Sequence, residues 1–224
     1  MSFNAAISER LGFDRSGETN MTAVAKTGRF SPAAAAPANS DENAFRLAMR
    51  QLASGVCLVT LGEGEARVGL TATSVASLSV EPPTLVVCVS RAATLYPRLF
   101  SGAVFGVSVL AADQSEIANR LAGRTGLAGS ERFRHGRWTT TPGGAPALAD
   151  ALANFECEVE ELIERHSHAI VIGRVRLALP RGAGGALVYW RGGFDQIGWS
   201  EEQISRAIGV TPAPDVGFAK FASS

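Results

Sequence analysis

Apolar and polar residues alternate along the middle of the chain in short blocks, and most blocks have the period of strands. Ser40 or Asp41 can cap a helix in which Ala44, Phe45, Ala48, Met49 and Leu52 share one face, with Gly55 as its C-terminal stop. That stripe reads as core, covering a sheet. Val56–Leu61 is a strand of branched residues, and Gly62-Glu63-Gly64-Glu65 turns it into a second strand, Arg67–Thr71. Thr84–Ser90 is apolar enough to be buried on both faces. Thr94 is placed to cap a short helix through Phe100, and Val104–Leu110 is a further strand. Asp113-x-x-Glu116 has the spacing of a capping box before Ile117, Ala118 and Leu121.

The second half repeats the strand pattern. Phe155, Cys157, Val159 and Glu161 alternate with Glu156, Glu158 and Glu160, as on a half-exposed strand whose glutamates face water. His166-Ser167-His168 leads into Ala169–Val175, where Gly173 marks a bulge or a close backbone approach. Leu187–Trp190 and Phe194–Ile197, joined by Arg191-Gly192-Gly193, form a last hairpin. Ser200-x-x-Gln203 can start a terminal helix with Ile204, Ala207 and Ile208 on one side. The expected fold is mainly β: a closed or nearly closed antiparallel barrel with a few flanking helices. The expected organisation is an extension over residues 1–39, disordered and ending in an Ala/Pro linker, one domain over 40–200, and a helix and tail over 201–224.

Composition narrows the function classes. The 224 residues carry 21 basic and 21 acidic side chains, so the totals hold no nucleic-acid footprint. No apolar run reaches the length of a membrane span. The N-terminus lacks a cationic start with an apolar run, and Glu9, Asp14 and Glu18 argue against an organellar presequence. Cys57, Cys88 and Cys157 are sparse, odd in number and set in apolar strands, which predicts inert, reduced thiols in a cytoplasmic protein.

Several chemistries have no motif here. There is no Gly-x-Ser-x-Gly run, no phosphate loop, and no third glycine after Gly62-x-Gly64. His166 and His168 would share a strand face, but a third metal ligand is lacking and His135 lies in a loop, so no metal is expected. Residues 123–146 form the longest irregular stretch. Arg124, Arg132, Arg134 and Arg137 crowd it with Phe133, His135 and Trp138, as solvated charge or as a site for an anionic ligand.

One stretch differs from the rest. Gly69 to Pro83 is rich in small side chains and hydroxyls and carries only Glu81 as charge. It lets a flat body approach the main chain and offers backbone and hydroxyl partners to a polar rim. A cofactor enzyme fits a chain with so few prominent acids and bases, because the cofactor carries the difficult step.

In order and spacing the chain resembles the flavin reductase-like family with an FMN-binding split barrel, which includes the small components of two-component flavin monooxygenases. The likeness runs over residues 44–198. Phe45-Arg46-x-Ala48-Met49 with Gly55-Val56-x-x-Val59-Thr60 looks like the family's opening, and Gly69–Ser79 with Pro82-Pro83 like its flavin stretch. Phe105-x-Val107-Ser108-Val109-Leu110 resembles a segment where most members have Asn in place of Ser108. Arg132-Phe133, His168-x-Ile170-x-x-Gly173-x-Val175 and Tyr189-x-x-Gly192-x-Phe194 complete it.

The resemblance implies a homodimer with the flavin, FMN or FAD, near the subunit interface, and hydride transfer to it from NADH or NADPH. It implies that Thr71, Ala72, Thr73 and Ser74 hold the ring edge and ribityl chain, with Ser77 and Ser79 in the same stretch. Cys88, Val89 and Ser90 would line the flavin, Thr94 would lie near a phosphate, and Ser108 and Leu110 would contact ring or ribityl. Phe133 falls in the same cofactor-binding set, Phe194 or Tyr189 would close the pocket, and His168 would be the catalytic residue beside the nicotinamide. Relatives carry Gly-Asp-His where this chain has Arg165-His166-Ser167-His168, a more positive field. The implied activity is flavin reduction for a partner monooxygenase. The alternatives are a flavin-dependent cob(II)yrinic acid a,c-diamide reductase, acting on a corrinoid in cobalamin biosynthesis, and a flavin-binding module without turnover.

Overall fold

The computed structural model describes residues 41–181 and 184–198. Helix α1 (Glu42–Met49) precedes a run of strands: β1 (Ser54–Gly55), β2 (Cys57–Leu61), β3 (Val68–Ala72), β4 (Ala76–Val80), β5 (Pro83–Ser90) and β6 (Val104–Val109). Helix α2 (Ser115–Leu121) and the short strands β7 (Trp138–Thr140) and β8 (Pro146–Leu148) follow. Two long strands, β9 (Ala153–Arg165) and β10 (His168–Pro180), then lead to the hairpin β11 (Ala186–Trp190) and β12 (Gly193–Ile197). The expected N-terminal extension and the helix from Ser200 lie outside the described residues.

Seven strands form one antiparallel sheet in the order β3-β2-β6-β9-β10-β5-β4. The two end strands, β3 and β4, are consecutive in the chain. The sheet therefore curls until its edges meet at the link Thr73–Val75, where no ladder joins them. This is a split barrel: the strand pattern predicts a nearly closed antiparallel barrel, and the family resemblance implies the split form. β1 pairs with β11, so the last hairpin is tied back to the start of the domain.

Strand alternation builds two cores. Cys57, Val59 and Leu61 point into the barrel with Val87, Val89, Phe105, Val107, Val159 and Val171. Val56 and Leu58 point the other way, into a second core with Leu110, Ile117, Leu121, Phe133 and Leu187. Burial pushes the thiol of Cys57 up to about 11 and that of Cys157 up to about 12, so both stay protonated. Gly173 is where Phe105 passes: a Cβ there would lie 2.5 Å from the ring. The ladder also slips at Gly173, with Ile172 opposite Glu161 and Gly173 opposite Val159. The bulge and the close approach expected there are one feature.

That slip corrects the reading of β9. Glu160 is the extra residue, so the alternation changes phase and Glu161 faces out while Leu162 turns inward. Glu156 is not solvated either. It is 5% exposed and accepts a 2.6 Å hydrogen bond from the Gly143 N–H.

Other local expectations also shift. Gly55 sits in β1 rather than at a helix end; α1 stops at Met49, and turns at Gln51 and Leu52 follow. The stripe on α1 is not core: Phe45 and Leu52 are 61% and 59% exposed. Gln114, not Asp113, precedes α2, its side-chain oxygen accepting the Ala111 N–H and its amide donating to the Asp150 carbonyl. Glu116 instead pairs with Arg120, whose hydrogen bond holds its carboxyl below the usual range. A 3-10 turn at Tyr96–Arg98, entered from Leu95, replaces the helix expected to be capped by Thr94. The loop 123–146 is structured, with a 3-10 turn at Gly129–Phe133 and the β7–β8 hairpin.

Candidate functional site

The site is built where β4 stops pairing with β5. The ladder there runs through Ser77↔Leu85 and Ala76↔Val86 and, continued by its own period, would put Ser74 opposite Cys88. The Ser74 side chain takes over instead. Its hydroxyl donates to the Cys88 carbonyl and accepts the Cys88 N–H, each at 3.1 Å. One hydroxyl thus satisfies both backbone groups that a strand neighbour would have met. The main chain of residues 73–75 is released to swing across to β3, and a groove opens between the two edges.

The groove measures about 560 Å³, within the roughly 300–1,000 Å³ range of small-molecule sites. One wall is Gly69–Ser74, and the other is Cys88, Ser90 and Ala92–Thr94. His168 enters from β10, and Leu121–Gly123 and Arg132 close one side. Thr71, Ala72, Thr73, Ser74, Cys88, Ser90, Thr94 and His168, expected at a common site, therefore come together. Cys88 is exposed, not an inert buried thiol, because odd positions of β5 face the barrel and even positions face out.

Their hydroxyls are largely engaged within the protein. Thr71 Oγ1 donates to the Ala118 carbonyl at 2.7 Å, which pins β3 to α2. Ser90 Oγ accepts the Ala92 N–H at 3.3 Å. Thr73 remains exposed. What the wall offers is chiefly bare main chain.

Arg132 is the group the chain pattern did not place at this site. Its Nε donates to the Leu127 carbonyl at 2.9 Å, which fixes the guanidinium beside Gly123. Among the described residues no carboxylate pairs with it, so an unneutralised cation faces the groove. Its sequence signal was the basic loop, which carries three other arginines and so did not single it out.

The barrel end above His168 is braced by a polar cluster. Arg91 pairs with Glu164 at 3.3 Å and donates to the His166 carbonyl at 3.2 Å. Tyr96 donates to Glu164, and that hydrogen bond raises the phenol above its usual range. His166 is in the turn, with φ 51°, so it does not share a strand face with His168. Among the described residues no three His, Cys, Asp or Glu side chains converge as a metal site would require.

Six expected residues lie away from the groove. Ser77 and Ser79 are on β4, past the link, and Ser79 Oγ bonds Glu81 of its own turn. Val89 is 1% exposed and points into the barrel. Ser108 is fully buried, its hydroxyl bonded to Asn154 and Leu148. Leu110 and Phe133 belong to the second core, where Phe133 packs 4.8 Å from Trp138 under Arg67. The strand period puts Ser108 and Leu110 on the face covered by α2 and the β7–β8 hairpin.

A second groove, of about 820 Å³, shares the wall Thr73–Ser74. It is lined by Phe45, Leu47, Met49 and Leu52, and by Tyr189 with Arg50 and Arg191. Tyr189 meets Phe194 edge-on at 5.5 Å, and Arg124 lies 5.6 Å from both rings. Arg124 follows Gly123, so this clamp borders the first groove.

Comparisons with known proteins converge. A family model described as a flavin reductase like domain matches residues 49–198. The FMN reductase (NADH) RutF of Methylorubrum populi is 40% identical over 152 residues, which is 66% of this chain and 73% of the relative. BorF, the flavin reductase component of a bacterial two-component tryptophan halogenase, superposes with a TM-score of 0.66 at 35% identity, covering 71% of this chain and 100% of that one. The NADH:FAD oxidoreductase SgcE6 of Streptomyces globisporus, in complex with NAD and FAD fragments, gives 0.63 at 30% identity, covering 79% and 96%.

Proposed function

The chain belongs to the flavin reductase-like family, and from that premise we propose that it is a cytoplasmic NADH-dependent flavin reductase that hands reduced flavin to a partner monooxygenase. The observation that carries the reading is the groove opened by Ser74, walled by bare main chain and ended by Arg132, which no carboxylate pairs among the described residues. Its donor set fits a flavin. Backbone groups suit the neutral, polar edge of the ring without an ionisable side chain. Arg132, helped by Thr94, suits a phosphate, because a guanidinium recognises phosphate oxygens with paired donors. A bound flavin supplies a hydride acceptor. The small residues Ala92, Ala93 and Gly123 leave room for a nicotinamide to lie against it. Reaction then depends on holding two rings within about 3.5 Å, so positioning dominates over acid–base chemistry. His168 steadies the nicotinamide nucleotide, and the Arg124–Tyr189–Phe194 clamp borders the mouth and limits water.

The second groove supports a homodimer. Phe45, Leu47 and Leu52 are each about 60% exposed on a face beside the flavin wall. Burying such side chains is worth about 1.5–3 kcal/mol each. A second copy set there would also cover Thr73 and Ser74.

The test is NADH oxidation followed at 340 nm with FMN and with FAD. Turnover with either flavin is expected; no oxidation above background overturns the reading, and flavin that binds but stays oxidised leaves only a binding module. Arg132→Gln sharpens it. Losing a charge-assisted contact of about 1.5–3 kcal/mol weakens FMN about 10- to 100-fold. Riboflavin, which has no phosphate, is expected to bind the variant as it binds the parent.

A further inference from the structure

His168 reaches the groove from the first position of β10, and what it can do there depends on which ring nitrogen carries the proton. The turn beside it is firmly held. Arg91 donates its backbone N–H to the Ser167 carbonyl at 2.9 Å and its guanidinium to the His166 carbonyl at 3.2 Å. Glu164, which pairs with that guanidinium and accepts from Tyr96, ties the turn to the end of the barrel. In this frame Ser167 Oγ lies 2.9 Å from His168 Nδ1. Among the described residues no other partner engages the Ser167 hydroxyl, so it can donate. Across the strands His168 stands opposite Ser90 and Arg165. Ser90 Oγ is bonded within its own turn, and Arg165 Nη1 donates to the Glu164 carbonyl. Among the described residues neither is bonded to Nδ1, which leaves Ser167 Oγ as its partner.

We infer that Ser167 is a positioning residue, which donates its O–H to Nδ1 and thereby presents His168 to the groove as an Nε2–H donor. The Nε2–H form is also the one imidazole prefers in water, so the hydrogen bond selects the easier tautomer. The matching ligand group is an uncharged or anionic acceptor, the carboxamide or phosphate oxygen of a nicotinamide nucleotide. This rests on the proposed flavin reduction. A carboxylate at position 167 would do the opposite, because it can only accept and would pull the proton to Nδ1.

The chain has 3 histidines, so long-range 1H–15N spectra of the labelled full-length protein resolve each ring, and His168→Gln identifies the signal. At a pH where the ring is neutral, His168 is expected to show Nδ1 bare and Nε2 protonated. Ser167→Asp moves the proton to Nδ1, and Ser167→Ala leaves a mixture. In turnover, Ser167→Ala raises KM for NADH about threefold to tenfold with little change in kcat, the scale of one hydrogen bond, and Ser167→Thr restores it. Nδ1–H in the parent protein, or a tautomer and KM indifferent to Ser167→Ala, overturns the inference. A protein that never oxidises NADH would sink the flavin reductase reading instead, while the spectra would still decide the tautomer.

Discussion

Ser108 and Ser74 each make one donated and one accepted hydrogen bond, and they serve opposite ends. Ser108 Oγ donates to Asn154 Oδ1 at 2.6 Å and accepts the Leu148 N–H at 3.1 Å, while Asn154 returns a bond to the Leu148 carbonyl. These groups close on themselves between β6, β8 and β9, away from water, and leave nothing for a ligand. Ser74 Oγ spends both bonds on one residue, Cys88, at the edge where the ladder ends. The first serine seals a junction and the second holds one apart. A hydroxyl in a strand context therefore reads as architecture or as the lip of a site only once its register is known.

The buried side of this contrast carries the larger energies. Phe105 is fully buried and passes over Gly173, so Phe105→Ala is expected to cost about 3–5 kcal/mol. Urea unfolding checks this, and a loss under about 1 kcal/mol would mean that the barrel interior collapses around the gap. Ser108→Ala comes next. It strands Asn154 Oδ1 and the Leu148 N–H where water cannot replace the hydroxyl, a loss of about 1–3 kcal/mol. Flavin affinity is expected to be unchanged. A variant of normal stability that had lost flavin would return Ser108 to the binding set and dissolve the contrast.

The sequence pattern identifies the strands because each is a short branched run with its own turn chemistry, and Gly173 is legible because only a residue without a Cβ fits under Phe105. Thr71, Thr73 and Ser74 are legible as a group through their composition. Sidedness is harder to read. Val89 and Cys88 are neighbours in an unbroken apolar run, and nothing local says which faces out. Glu161 is misassigned because the slip at Glu160 reverses the alternation, and a bulge is set by the partner strand. The stripe on α1 shows that a helix is amphipathic but not what covers it. Arg132 stays hidden because its role depends on the Leu127 carbonyl, which only the folded loop brings to it.

The smallest stability change is expected at the lip. Ser74→Ala removes both partners of Cys88, but Cys88 is exposed and water can take their place, so the loss in stability is about 0.5–1 kcal/mol. Water at that edge has a second effect. Without the hydroxyl, nothing fixes the spacing between Thr73 and β5, and the link can relax toward the ladder position that the register of β4 favours. The groove narrows as the wall moves in, so flavin binding falls by more than the stability change implies. Ser74→Thr keeps the hydroxyl and is expected to keep the flavin. Fluorescence quenching of FMN by the three proteins, beside their unfolding curves, separates the possibilities. If Ser74→Ala loses as much stability as Ser108→Ala while binding flavin normally, both serines are architectural and the groove is opened by something else.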